Sequence, residues 1–270
     1  MPTHQAVILG IVQGLAEFLP ISSSAHLTLI PWLFGWEDPG LAFDVALHWG
    51  TLLAVLAVFW RDWIRLIAAG LGGKGEPRDR RLFWALVVSA VPGAILGKLL
   101  DHWAEEHLRA PLLIAGTLAA MGVLLWIADR LGQKTRDLGE MTYGRALGIG
   151  VAQAAALIPG VSRSGSTISV GLFMGFTREE IARFSFLMST PIIFGAGLVK
   201  LPKMLHEMQG GQGPVTWTAM GAGFIASAVV GVAVIRWMLN WLRTRTYVVF
   251  AVYRVALAAV IVIVWISGKR

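Results

Sequence analysis

The stretch EFLPISSSAHL, from Glu17 to Leu27, ends one strongly apolar segment and opens another. Serine hydroxyls enter membranes at little cost by bonding to backbone carbonyls, so three of them prove little. Glu17 and His26 carry more weight, because ionisable groups at bilayer depth are expensive and usually functional. Composition fixes the setting: 56% of residues are hydrophobic and 14% charged, against roughly 45–50% and 25% in soluble domains. Apolar blocks at 47–60, 83–100, 111–128, 184–199, 217–239 and 247–267 approach the roughly 20 residues that cross a hydrocarbon core. An all-α polytopic membrane protein is expected. Cysteine is absent, which excludes disulfides and thiolate metal sites. The first twenty residues lack a basic flank and a small-residue cleavage site, so no signal peptide is expected there. The formal charge of +7 is better assigned to basic loops that orient the chain than to nucleic acid.

Two apolar blocks are too short to span. Residues 4–19 and 145–158 end at Pro20 and Pro159, and each runs into a polar turn, PISSSAH or PGVSRSGST, before a second short apolar stretch. Short segments interrupted by Pro and Gly point to re-entrant hairpins, where irregular backbone lines a polar cavity. The two turns align at an offset of about 140: Gly10 with Gly150, Gln13 with Gln153, Ser22 with Ser162, Ser24 with Ser164, Gly35 with Gly175. Farther on, at about 138, Ser89 meets Ser227 and Lys98 meets Arg236. We therefore expect a single membrane domain over 1–270 built from two repeats, about 1–137 and about 138–270. Each would hold one re-entrant hairpin and three full spans. Three is odd, so the second repeat is inverted.

Charge asymmetry orients this arrangement. If the loop after the first span is cytoplasmic, that side carries Arg61, Arg65, Lys74, Arg78, Arg80, Arg81, Arg130, Lys134, Arg136, Arg145, Arg178, Arg183, Arg243 and Arg245. The other side holds only Arg109, Lys203, Lys269 and Arg270, with Lys98 and Lys200 near span ends. Both termini then face outward, and the hairpins enter from opposite faces and meet near the midplane.

The meeting point gathers Glu17, Ser22, Ser23, Ser24 and His26 from one turn and Ser162, Arg163, Ser164, Ser166 and Thr167 from the other. An arginine at a Ser/Gly turn that opens a helix suits an oxyanion, since forked donors add to the free N–H groups of the helix start. Arg163 with Ser162, Ser164 and Thr167 is thus a candidate phosphate cradle, although Arg163 could instead serve as counter-ion to Glu17. Ser22, Ser24 and Ser164 have a plainer alternative as helix caps. Gln13 and Glu17 lie one helical turn apart on one face. A carboxylate beside phosphate holds a divalent cation, here Mg²⁺ or Ca²⁺ on Glu17, or manages a proton. His26 is a candidate base or nucleophile. Asp44 and His48, also one turn apart, are candidates for the pocket wall. Lys98 and Arg236 are expected to snorkel.

QGLAEFLPISSSAHL together with PGVSRSGST, and FDVALHWGTLLAV at 43–55, resemble the undecaprenyl-diphosphate phosphatase family associated with bacitracin resistance, over nearly the whole chain. The resemblance implies hydrolysis of a C55 polyprenyl diphosphate to the monophosphate and inorganic phosphate, recycling the carrier for peptidoglycan synthesis in a bacterial inner membrane, with the active site open to the extracytoplasmic side. The family's carboxylate motif falls on Gln13 and Glu17, its serine and histidine on Ser23 and His26, and its serine-arginine signature on Ser162 and Arg163, followed by Thr167. Gln13 stands where many members have glutamate, and Ala25 where glycine is common. Expected partners are the polyprenyl diphosphate lipid and the bilayer, not nucleic acid, with a homodimer as the candidate assembly. Two nucleophile schemes stay open: Ser23 with His26 or Glu17 as base, or His26 itself. The competing class is an inverted-repeat secondary transporter or a lipid flippase, which needs a binding site but no reaction centre.

Overall fold

Pro20 and Pro159, with no N–H to give and a ring in the way of the preceding turn, bar a helix from running through them, and the helical segments before them stop at Ala16 and Leu157. In the computed structural model, which describes residues 1–73, 75–209 and 215–268, the first half runs α1 (Thr3–Ala16), α2 (Ser23–Phe34), α3 (Leu41–Val58), α4 (Trp60–Leu71), α5 (Pro77–His107) and α6 (Pro111–Leu131). The second runs α7 (Tyr143–Ala154), α8 (Arg163–Phe173), α9 (Arg178–Gln209), α10 (Trp217–Trp241) and α11 (Val248–Ile266). Among the described residues six helices, α3, α5, α6, α9, α10 and α11, are long and apolar enough to cross a membrane. The chain is a multi-pass, all-α membrane protein. The basic residues Lys74, Lys269 and Arg270, and the side chain of Lys203, lie outside what the structure describes.

The stretch expected as a plain cytoplasmic loop holds a helix, α4. Its sequence, WRDWIRLIAAGL, sets Trp60, Ile64 and Ile67 against Arg61, Asp62 and Arg65 at helical spacing, the pattern of a helix lying along an interface. Arg65 reaches Asp79 at 3.3 Å, and Arg183 at the start of α9 reaches Asp62 at 2.7 Å. Arg178 pairs with Asp129 at 2.6 Å, and Arg243 with Glu179 at 3.2 Å. The segments assigned to the basic side are therefore tied to one another at one end of the bundle.

Close helix approach accounts for the paired glycines. A Cβ on Gly10 would run into the Gly223 carbonyl of α10, and one on Gly150 into the Ser89 carbonyl of α5. Accordingly α1 packs on α10, and α7 on α5, while α3 lies against α10 and α9 against α5. The partners exchange between halves. The outer end of the first hairpin packs near Phe43, Val215 and Met220. The second hairpin ends instead at Gly175, whose carbonyl accepts from the Thr135 and Arg136 amides beside the ion pairs just described. Each hairpin thus opens toward a different end of the bundle.

Candidate active site

Ser22 and Ser162 start the site. Neither is glycine, yet both hold left-handed backbone, with φ of 75° and 73°, at a cost of about 1–3 kcal/mol each. The same local bonds recur around them. Ser22 Oγ accepts the Ala25 amide and lies 3.2 Å from Ser24 Oγ; Ser162 Oγ accepts the Gly165 amide and lies 3.2 Å from Ser164 Oγ. Each serine is an N-cap, so α2 and α8 begin where the hairpins meet. Two helix starts then aim first-turn N–H groups and positive potential at one place.

That place is a cavity of about 310 Å³ lined by Glu17, Ser22, Ser23 and Ser24 from one hairpin and by Ser162 and Arg163 from the other. Glu17 is 6% exposed and fully engaged. Its Oε2 accepts from Ser23 Oγ at 2.7 Å and Gln13 Nε2 at 3.1 Å, and its Oε1 from Arg163 Nη2 at 2.8 Å. Arg163 Nη1 donates to the Ser185 carbonyl at 2.7 Å and lies 3.3 Å from Ser185 Oγ. The guanidinium therefore pairs with Glu17, the counter-ion alternative drawn from the sequence, and also lines the cavity. His48 Nε2 stands 3.7 Å from Glu17 Oε2.

Other residues fall behind the wall. Gln13 backs Glu17. Ser164 Oγ bonds to the Leu19 carbonyl across the hairpin junction at 3.1 Å. Ser166 Oγ bonds to the Arg163 carbonyl. Thr167 Oγ1 sits 2.8 Å from Ser185 Oγ, buttressing the arginine's anchor. His26 is turned away. Its Nδ1 lies 2.7 Å from the Ser22 carbonyl and its Nε2 2.7 Å from the Tyr253 hydroxyl. A carbonyl only accepts, so Nδ1 carries the proton and Nε2 accepts from tyrosine. The expected contact of Ser23 with His26 is not formed: Ser22's left-handed backbone swings Ser23 toward Glu17, and His26, three residues on, faces α11.

Asp44 and His48 line the cavity, as their spacing suggested. Several residues that build the site were not singled out for it: Arg109, Lys200 and Gln153 share that wall, the last visible as the repeat partner of Gln13. Ser185 gave no signal at all. Arg254 had one, as a lone cation inside the apolar run of α11. It is 0% exposed and donates to the carbonyls of Pro20 at 2.9 Å, Gly160 at 2.6 Å, Val161 at 3.2 Å and Leu118 at 3.2 Å. One guanidinium thus ties both hairpin turns to α6. A buried charge costs several kcal/mol to desolvate, and four carbonyl dipoles are what offsets it here.

Six helices long and apolar enough to cross a membrane, and a cavity lined by an arginine, a carboxylate and serines, define a multi-pass membrane protein with a polar internal site. The chain belongs to the family described as bacitracin resistance protein BacA, which it matches over residues 6–260. It is 53% identical over 268 residues to the undecaprenyl-diphosphatase of Moorella thermoacetica, covering 98% of each chain. It is 49% identical over 264 residues to that of Desulforudis audaxviator, covering 98% of each, and 50% identical over 264 residues to that of Pelotomaculum thermopropionicum, covering 97% of each.

Proposed function

We propose that the chain is an undecaprenyl-diphosphate phosphatase, hydrolysing the lipid's phosphoanhydride to the monophosphate and inorganic phosphate. The observation that carries the mechanism is Ser23 Oγ, 2.7 Å from Glu17, whose other oxygen meets Arg163 at 2.8 Å. A serine hydroxyl needs a base in hydrogen-bond reach, and Glu17 is that base. Ser23 Oγ attacks the terminal phosphorus, and its proton passes to Glu17. The bridging oxygen leaves on undecaprenyl monophosphate, which takes that proton. Glu17, again a carboxylate, accepts a proton from the water that cleaves the phosphoseryl bond and passes it to the leaving Ser23 Oγ, which restores the serine and the carboxylate and frees inorganic phosphate. Arg163 and the starts of α2 and α8 hold the equatorial oxygens throughout.

A divalent cation fits this donor set in one way. Among the described residues no three His, Asp or Glu gather to hold a metal. Glu17 is shared with Arg163 and Ser23, and beside it the buried Gln13 Oε1 has no partner. Gln13 lies behind the wall and, of the two, Glu17 alone faces the cavity, so the carboxylate would hold Mg²⁺ or Ca²⁺ that keeps its water and arrives with the diphosphate. Bound there, it would neutralise charge on the phosphate oxygens. Purified protein should release phosphate from undecaprenyl diphosphate in Mg²⁺ or Ca²⁺, and the rate should fall at least about tenfold in chelator. No release with either ion would overturn the phosphatase reading; full activity in chelator would remove the metal.

The partner exchange between halves, and hairpins opening toward opposite ends, support two inverted repeats. Asp44, Arg109 and Lys200 line the cavity at the end away from the ion-paired basic segments, which supports an active site that opens to the extracytoplasmic face of a bacterial inner membrane. A single cysteine at Glu76 should resist a membrane-impermeant thiol reagent in intact cells, and one at Asp38 should react. The reverse labelling pattern would invert the assignment.

A further inference from the structure

A diphosphate joined to an apolar chain needs two environments within one bond of each other. The polar cavity supplies the first. A second cavity, of about 350 Å³, lies between α3, α9 and α10, walled by Ala46, Leu201, Met204, Trp217, Met220 and Phe224. None of its described walls is charged. Trp49 lines both cavities, so the two adjoin at one indole. The ring is seated against Gly197, where a Cβ would collide with Nε1; the missing side chain is what leaves room for Trp49 at this boundary. Trp217, 62% exposed, puts the far wall on the outer surface of the bundle, where the rest of a long chain can pass into lipid.

We propose that this groove binds the isoprene units next to the diphosphate, with Trp49 marking the step from headgroup to tail; this rests on the phosphatase reading above. The groove's contribution is orientation more than affinity. A tail moving from lipid into an apolar groove gains little from the hydrophobic effect, because acyl chains are as apolar as the walls. What the walls offer is shape: methionine adapts to branched methyl groups, and the aromatic faces fix the chain's exit, so that the phosphorus is presented to Ser23 in one orientation.

The test uses the full chain in lipid nanodiscs with a farnesyl diphosphate that carries a diazirine on the isoprene unit beside the diphosphate. Photolysis should place adducts on peptides containing residues 201–204 or 217–224. Gly221 adds an independent measurement, since a side chain there meets nothing within 4 Å and would project into the groove without a backbone clash. Gly221→Phe should lower the preference in kcat/KM for undecaprenyl over isopentenyl diphosphate by about tenfold, chiefly through KM for the long substrate. Phosphate release from the probe with adducts confined to other helices, or an unchanged chain-length preference in the variant, would overturn the groove alone. No phosphate release from the probe by the wild-type chain would overturn the phosphatase reading and this proposal with it.

Discussion

Glu17→Gln is expected to lower kcat/KM for phosphate release by about 10³-fold, the scale of a lost general base. The carboxylate accepts from Ser23 on one oxygen and from Arg163 on the other. An amide has one acceptor oxygen and one NH₂ group, so the variant satisfies one donor and turns its own donors on the other. Proton transfer from Ser23 is lost in either rotamer. Because Ser23 and Glu17 act as one unit, Glu17→Gln/Ser23→Ala should be no slower than the worse single variant, as reaction groups that work together are strongly non-additive. The fold should survive, since Arg254 and the serine caps, not Glu17, hold the hairpin turns; an unchanged elution profile and melting curve check this. Quenched single-turnover reactions of the wild type should show an acid-stable phosphoserine. An acid-labile adduct lost in His26→Ala would instead make His26 the nucleophile, despite its position against Tyr253.

The fold was legible because its main signals are local. Two prolines ending short apolar runs, serines and glycines repeating about 140 residues apart, and one-sided Arg/Lys loops need no tertiary knowledge. The hairpin residues were legible for the same reason. What distance in sequence concealed was how they are held. Ser185 is an ordinary serine in an apolar helix until α9 brings its carbonyl under Arg163. Asp44 and His48 were readable as a polar pair one turn apart, but Lys200 reaches the cavity from a long span whose rotation about its own axis no hydropathy pattern fixes. Arg254 could be recognised as costly but not as the clasp of both turns, since its acceptors are backbone carbonyls, which every residue owns. His26 shows the limit of spacing: Ser23 and His26 lie three residues apart in α2, yet the Ser23 hydroxyl is drawn backward to Glu17 while the imidazole is held between the Ser22 carbonyl and Tyr253. The amphipathic α4 was readable in WRDWIRLI, but its charges were counted for orientation and not for periodicity.

Arg163→Lys is expected to be nearly as damaging as Arg163→Ala, each lowering kcat/KM by about 10³-fold, the lower end for an arginine that stabilises phosphoryl transfer. Lysine would keep the charge, so equal damage has to come from geometry. Arg163 spans two anchors at once, Glu17 Oε1 at 2.8 Å through Nη2 and the Ser185 carbonyl at 2.7 Å through Nη1, and the planar fork still has N–H groups to offer phosphate oxygens. An ammonium places its three donors on one atom. It can neutralise Glu17 or reach the substrate, but it cannot hold a fixed plane between the two helix starts. Ser185→Ala separates the anchors: the carbonyl bond remains, and the long 3.3 Å contact of Arg163 with Oγ and the Thr167 hydroxyl bond are lost, so a decrease of about tenfold follows from the net value of one neutral hydrogen bond and one long contact to a charged donor. Steady-state phosphate release with undecaprenyl diphosphate measures all three variants. If Arg163→Lys keeps more than about a tenth of wild-type kcat/KM, the charge alone suffices and the two-anchored fork is not what the reaction requires.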